Sequence, residues 1–482
     1  VSDFGLSIAA SGLNADTAEL DTASNNLSNI NTPGYAQEVV NLSPEAAAGP
    51  LQAGRGVTVA SVSELTDAVY ESANVAAEGV QGAANETNQV MTSIEAVFPE
   101  PSSDGLSAQL STFWSDLSTL AANPNQAGAQ QTVAADANGL AQALNTTSTQ
   151  LSDLSSSLQS KVGTGSGDSG TLAQANSLLH QVAQLNQGIV AGDSAGQNVN
   201  ALSDERRSAV DQLAGLLGVS TSTTSNGALT IYSGGVQLVS GNVAQTLTST
   251  GSAATGNLGI ATSSGVALQP SGSIGADLTA VNTTLPGYQS QLSAVANALA
   301  GNLNTLQANG MDANGDPGTA IAGAYTGTVL PNIFVDQGST SAYTPSAMSA
   351  ATITVSSAYL SDPSLIATAA APGPGNSNVI GTATLDSTNA QAMAAVASSS
   401  TGPDALYQSL IGTLGTEASN ASGTATAASN LATTASSNLA SISGVNQNQQ
   451  EVDILSAQNA FQAASQAINA INQSFQSLLQ AV

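Results

Sequence analysis

Apolar residues near the end of the chain recur at alternating steps of three and four: Ile454, Ala457, Phe461, Ala464, Ile468, Ile471, Phe475, Leu478 and Val482. A mean step of 3.5 returns to the same side of a helix, so this spacing predicts a long helix with a heptad seam. The positions between are Gln, Asn, Ser and Ala without oppositely charged pairs, which makes an ion-paired two-stranded zipper a poor match. At the other end Leu6, Leu13, Leu20 and Leu27 repeat every seven residues, with Ala9, Ala10 and Ala23 beside them. Both ends are therefore expected to be helices carrying one sticky stripe. Isolated helices of this length are marginal in water, because one apolar face only partly offsets the entropy of ordering the backbone. The two ends are expected to order against each other and against partner subunits.

Between them, Ser63 to Phe98 reads as a helix with Leu65, Val69, Val80, Ala83, Val90, Ile94 and Val97 on one side and Pro99 and Pro101 as its stop. Helical spacing continues through Leu106 to Leu120, Val133 to Val162, Thr171 to Ala191 and Leu202 to Leu217. The pattern then changes. Leu229 to Tyr232 and Val236 to Val239 flank Ser233, Gly234 and Gly235, which predicts a hairpin. Helix returns from Ser273 to Asn309 and from Leu406 to Ile442, while the Gly, Pro and Thr rich stretch Gly310 to Ser400 predicts short strands, notably Ile353 to Val355. The expected fold class is α+β. Paired terminal helices (1–62 and 440–482) form an inner assembly domain beside a long helical bundle (63–218, 272–308 and 400–439). A β-rich outer insertion (219–271 and 309–399) faces away from both.

Composition narrows the function. With 3% aromatic residues, cores are expected to be thin and helical, since Ala favours helix but buries little area. The chain sets 32 Asp and Glu against Arg55, Lys161, Arg206 and Arg207, a net charge of -28 over 482 residues. Binding to phosphate scales with the cations supplied, so nucleic acid and anionic lipid are excluded as partners. No apolar run approaches the length of a membrane span, and Val1 to Leu20 has no basic start followed by an apolar run, so neither membrane insertion nor a cleavable leader is expected. Like-charged copies repel, so self-association has to come from apolar faces and uncharged hydrogen bonds. The absence of Cys excludes disulfides, thiolate zinc sites and thiol nucleophiles.

Candidate chemistry was sought in four places. Gly165, Gly167 and Gly170 spell GxGxxG before a helix, but a helix rather than a strand precedes them, so a linker is expected and not a phosphate cradle. The single histidine, His180, follows Ser177 by three residues, and one helical turn does not make a catalytic triad. Asp312, Asn314 and Asp316 have calcium-loop spacing, but Pro317 and Gly323 stand where that loop needs Gly and Glu. Phe113 and Trp114 among Leu110, Leu117 and Leu120 read as core. No catalytic residue, metal or cofactor is expected, and the protein is not expected to be an enzyme.

Residues 11–35, SGLNADTAELDTASNNLSNINTPGY, resemble the N-terminal signature of the flagellar axial protein family of rod, hook and hook-associated subunits. The physical content of that signature is a heptad helix stopped by an Asn and Ser cluster, a turn at Thr32, Pro33 and Gly34, and Tyr35 at the elbow. Residues 443–480, SGVNQNQQEVDILSAQNAFQAASQAINAINQSFQSLLQ, are similar to the end of the hook-associated members. The internal segments GLSAQLSTFWSDLSTLAANP, ALSDERR, SGSIGADL and ANGMDANGDPG agree. Two positions depart from the family pattern. Gln37 stands where a basic residue is usual, and Asp204, Glu205 and Arg206 are followed by Arg207 where Asp is usual, so the family's ion pairs are not carried over.

The resemblance implies a structural subunit of the bacterial flagellum at the junction of hook and filament. It would be exported unfolded by the signal-less flagellar type III route and assembled outside the cell. Its assembly interface would be Leu6, Leu13, Leu20, Leu27, Tyr35, Ile454, Phe461, Ile468, Ile471, Phe475 and Leu478. The implied partners are the hook protein, a second junction protein, further copies of the chain in a ring or tube, and an export chaperone on the C-terminal helix. The alternatives are another axial subunit, such as a hook or filament protein, and a secreted adhesin whose β-rich part binds a surface ligand.

Overall fold

A computed structural model describes residues 2–32, 34–46, 54–163, 169–251, 257–318, 329–337, 348–372 and 377–481. The chain opens with helix α1 (Ser2–Ser28) and an antiparallel hairpin, β1 (Glu38–Pro44) with β2 (Val57–Glu64). Five helices follow: α2 (Ala68–Val97), α3 (Leu106–Ala122), α4 (Ala127–Val162), α5 (Gly170–Ser194) and α6 (Asn200–Leu217). Strands β3 (Val219–Thr223), β4 (Leu229–Ser233), β5 (Val236–Ser240) and β6 (Val243–Ala244) form one sheet in that order. A second sheet holds β7 (Leu247–Thr250), β8 (Gly259–Thr262) and β9 (Ala267–Leu268). Helix α7 (Ser273–Thr279) passes through a π-helical turn into α8 (Leu285–Asn309). Then come β10 (Gly310–Met311), β11 (Phe334–Asp336), β12 (Ile353–Val355), α9 (Ser357–Ser361), β13 (Ala369–Ala370) and α10 (Thr388–Ala395). The long helices α11 (Pro403–Ser443) and α12 (Gln447–Ala481) complete the fold.

Two long helix pairs and the connections between their ends define the architecture. Helix α12 runs back along α1, with Gly5 beside Ile471 and Asn26 bonded to Gln450. Helix α11 runs back along α2, where Ala77 packs on Ala432 and Ala435, and Ala84 on Ala425 and Ala428. Two antiparallel pairs, each about 40 Å long at 1.5 Å per residue, therefore stand end to end and meet at residues 28–37 and 443–447. The buried line of α11 through this pair is Ala418, Ala421, Ala425, Ala428, Ala432 and Ala435. Small side chains let the axes come close at the cost of area. Where α2 crosses α6 the approach is closer still: a Cβ on Gly82 would lie 2.2 Å from the carbonyl oxygen of Gly215.

The apolar mass lies beside the α2–α11 pair in two cores. One joins α3, α4, α8 and the start of α11 with Phe334, Ile353, Val355, Tyr359 and Met393. The other joins α5 and α6 with Val219, Ile231, Leu238, Leu247, Ile260 and Leu268 of the first two sheets. Phe113 and Trp114 are core residues of the first, their rings tilted by 57° with centroids 5.0 Å apart.

Several expectations are corrected. Among the described residues, the β-rich stretches 219–271 and 309–399 share no sheet; they pack mainly into different helical cores, because short strands with one apolar face need a neighbouring helix to cover it. The stretch Ser63 to Phe98 is not one helix: β2 ends at Glu64, and Asp67 starts α2 by accepting the N–H groups of Val69 and Tyr70. Leu65, Val69 and Val80 face outward, Val69 at 73% exposure, and the buried side is Val75, Ala77, Gly79, Ala84, Val90, Met91 and Ile94. The hairpin inside 1–62 and helices α9 and α10 are additions to the sequence reading. The 229–239 hairpin forms as expected, with positive φ at both Gly234 and Gly235.

Candidate functional site

The paired ends and the elbow beneath them form the site. On α1 the fully buried positions are Ala15, Ala23 and Asn26, while Leu6, Leu13, Leu20 and Leu27 are half-buried along the flank. The leucine repeat marks the right helix, but the seam runs beside it, and Ala10 is exposed. On α12 Ala457 is buried, and Ile454, Ala464, Ile468 and Ile471 are half-buried. Phe461 and Phe475 remain 38% and 48% exposed, and Phe4 on α1 47%. The side chain of Leu478 and residue Val482 lie outside the described residues. Two helices alone thus cover only part of each stripe.

The elbow is held by polar groups. Asn26, 1% exposed, donates through Nδ2 to the Glu38 carbonyl at 2.9 Å and to Gln450 Oε1 at 3.0 Å. Its Oδ1 accepts the Tyr35 hydroxyl and the Glu38 N–H, both at 2.8 Å. Half-buried Tyr35 therefore acts as a strut between elbow and α1; burial, then Glu38, Asp204 and Glu64, push its ionisation above the ordinary range. The Gln37 N–H donates to the Ser443 carbonyl at 2.7 Å, tying the elbow to the end of α11. Gly34 takes φ of 80°, and a Cβ there would lie 3.2 Å from the Asp204 carbonyl oxygen, so the turn sits flush on α6.

Arg207 closes the joint. Its Nη1 donates to the Gly34 carbonyl at 2.6 Å and to Asp204 Oδ1 at 2.7 Å, Nη2 to Glu64 at 2.9 Å, and Nε to Glu71 at 3.1 Å. Its side chain is only 16% exposed, so this is a desolvated cluster rather than a surface pair. Burial opposes the charged guanidinium, but Glu64, Glu71 and Asp204 more than offset it and keep it charged. Burial also raises the Glu64 carboxyl, to about 7, and that of Asp204, against the pull of Arg207. The partners of Arg207 lie up to 173 residues away, so only the resemblance, not spacing, drew attention to the position.

Comparison with known proteins bears on the same regions. A model of the flagellar hook-associated protein FlgK helical domain matches residues 91–321, and a model of the flagella basal body rod protein matches residues 6–35. Flagellar hook-associated protein 1 of Escherichia coli (strain K12) is 30% identical over 344 residues, 67% of this chain and 60% of that one. The chain belongs to the flagellar hook-associated protein 1 family. The hook-associated protein 1 of Bacillus subtilis (strain 168) is 29% identical over 235 residues, 46% of this chain and 45% of that one. The solved flagellar hook junction protein FlgK from Burkholderia pseudomallei shares the fold, with a TM-score of 0.60 and 20% identity over 77% of this chain and all of that one. The chain spans about 60% of the length of the E. coli hook-associated protein 1 and 57% of its Salmonella typhimurium counterpart.

The remaining candidate chemistry of this hook-associated protein 1 relative resolves residue by residue. Gly165, Gly167 and Gly323 lie outside the described residues. His180 and Ser177 are exposed on α5. Asp312 Oδ1 accepts the N–H groups of Asn314 and Asp316 at 2.9 and 2.8 Å, the bonds of a polar turn. Among the described residues no helix is long and apolar enough to cross a membrane.

Proposed function

We propose that the chain is a structural subunit of the flagellum at the junction of hook and filament, without catalytic activity, exported unfolded and assembled through its terminal helices. The observation that carries this reading is the half-covered pair of stripes on α1 and α12. Phe461 and Phe475 leave 38% and 48% of their surface open in the single chain. A Phe side chain has 150–250 Å² to bury, so closing what is open is worth about 2 kcal/mol for each ring. Further copies of the chain fit this surface, because residues 454–482 carry no charge while the molecule as a whole carries -28. Residues 1–62 and 440–482 would form the inner tube and the β-rich segments would face outward. The hook is the partner that the names of the relatives suggest; a second junction protein and a chaperone on α12 are partners that the family resemblance implies.

The test is cellular. Phe461→Asp, and deletion of residues 454–482, should leave a folded bundle by circular dichroism yet abolish filaments in cells whose own copy is removed. Comparable charge substitutions in residues 310–400 should be tolerated. Filaments growing normally on either variant would refute the reading.

A further inference from the structure

We propose that Arg207 is a positioning residue that fixes the direction in which the α1–α12 pair leaves the helical bundle. The joint has little apolar packing of its own: among the described residues of the elbow, Ala36 is the one buried apolar residue. Its orientation therefore rests on polar bonds, and α6 supplies most of them. Asp204 accepts the Ala36 N–H at 3.1 Å, and Asn200 donates to Glu38 Oε1 at 2.7 Å and to the Val62 carbonyl at 3.2 Å. Arg207 touches the elbow, the end of β2, the first turn of α2 and its own helix together. A planar guanidinium can serve four acceptors in fixed directions, whereas an ammonium on a flexible stem cannot.

The same side chain has little to do with holding the bundle together. The residues of α6 that enter the apolar core are Ala209, Val210, Leu213, Ala214 and Leu217. Removing Arg207 takes from Glu64, Asp204 and Glu71 the cation they share directly, with Arg206, bonded to Asn186 and Gly227, left as a more distant positive charge. Their repulsion acts between elbow, hairpin and α2, that is, across the joint. Loss of the guanidinium should free the angle between the two helical pairs before it melts either pair. This inference rests on the proposed assembly role only for its biological meaning, since a ring of copies needs every copy to present its ends at one angle.

The chain contains no Cys, so paired spin labels can be placed at will. Thr17→Cys on α1 with Asn85→Cys on α2 reports the joint, and Asn85→Cys with Thr132→Cys on α4 reports the bundle; all three positions are exposed. In the purified full chain, Arg207→Gln should at least double the width of the α1–α2 distance distribution and leave the bundle distance and helix content unchanged. Arg207→Lys should fall between. An unchanged width, or equal broadening of both distances, overturns the proposal. If Arg207→Gln does not fold, Glu71→Gln, at the rim of the cluster, gives the same readout: broadening confined to the joint supports the clamp, and none overturns it. Because these distances are read on the isolated chain, failure of the clamp is distinct from failure of the assembly reading, which would show as filaments formed by Phe461→Asp.

Discussion

Asn26 uses all four hydrogen-bonding positions of its amide inside the protein, on Glu38, Gln450 and Tyr35. Truncation to alanine would strand the side-chain oxygen of Gln450, a residue only 1% exposed, at a cost of about 1–3 kcal/mol. The loss is local, because neither apolar core includes these residues. Asn26→Ala should therefore accelerate amide hydrogen exchange in the first turns of α12 by roughly ten- to a hundredfold while exchange in α4 and α8 stays as it was. Unchanged protection at α12 would contradict the clasp. The Asn and Ser cluster was legible in the sequence as a helix stop, but not as a seam, because a polar residue three positions after Ala23 breaks the apolar pattern that identifies one. Arg207 was equally hidden: its role depends on carboxylates brought to it by β2 and α2 and on a carbonyl of the elbow.

At the scale of elements, periodicity predicted helices well and their inner faces less well. The terminal helices, the 229–239 hairpin, strand 353–355 and the return of the two ends all follow from spacing. The leucine heptad of α1 lies off the seam because alanines, not leucines, allow the closest approach. The β1–β2 hairpin escaped notice because Val39, Leu42 and Val59 are exposed, and a strand with apolar residues outside lacks the alternation that marks one. Glycine carries a related meaning on α2. At Gly82 the atom in the way of a Cβ is backbone, the Gly215 carbonyl oxygen, which cannot turn aside. Gly82→Ala should part α2 from α6 and destabilise the bundle by about 1–3 kcal/mol. Gly423→Ala on α11, with nothing within 4 Å, should be neutral or stabilise by up to about 1 kcal/mol. Urea unfolding of the two variants side by side checks the contrast, and equal effects would refute it.

Over the whole molecule, buried carboxyl groups set the response to pH. Burial pushes Asp277 up to about 7, helped by Glu86 and opposed by Lys161, while burial first and acidic neighbours second bring Asp136 and Asp211 to about 6. The unfolded chain releases these protons near pH 4. Between about pH 4 and 7 the folded state binds more protons than the unfolded state, so stability falls as pH rises. Self-repulsion from a net charge of -28 acts in the same direction. The thermal midpoint should be several degrees higher at pH 5 than at pH 8, and Asp277→Asn should raise the pH 8 value and flatten the slope; a midpoint that climbs with pH would reverse the assignment. The alanine line of α11 carries no register of its own. Its rungs are alike, and Ala77, Ala84 and Met91 on α2 repeat every seven residues as well, so the ladder itself does not specify which rung meets which. That choice falls to the pins at its two ends: Trp114 to Asp404, Tyr407 to Glu100 and Tyr288 to Glu417 at one, and Gln37 to Ser443 at the other. Without those pins the same two helices would fit nearly as well one heptad out of step.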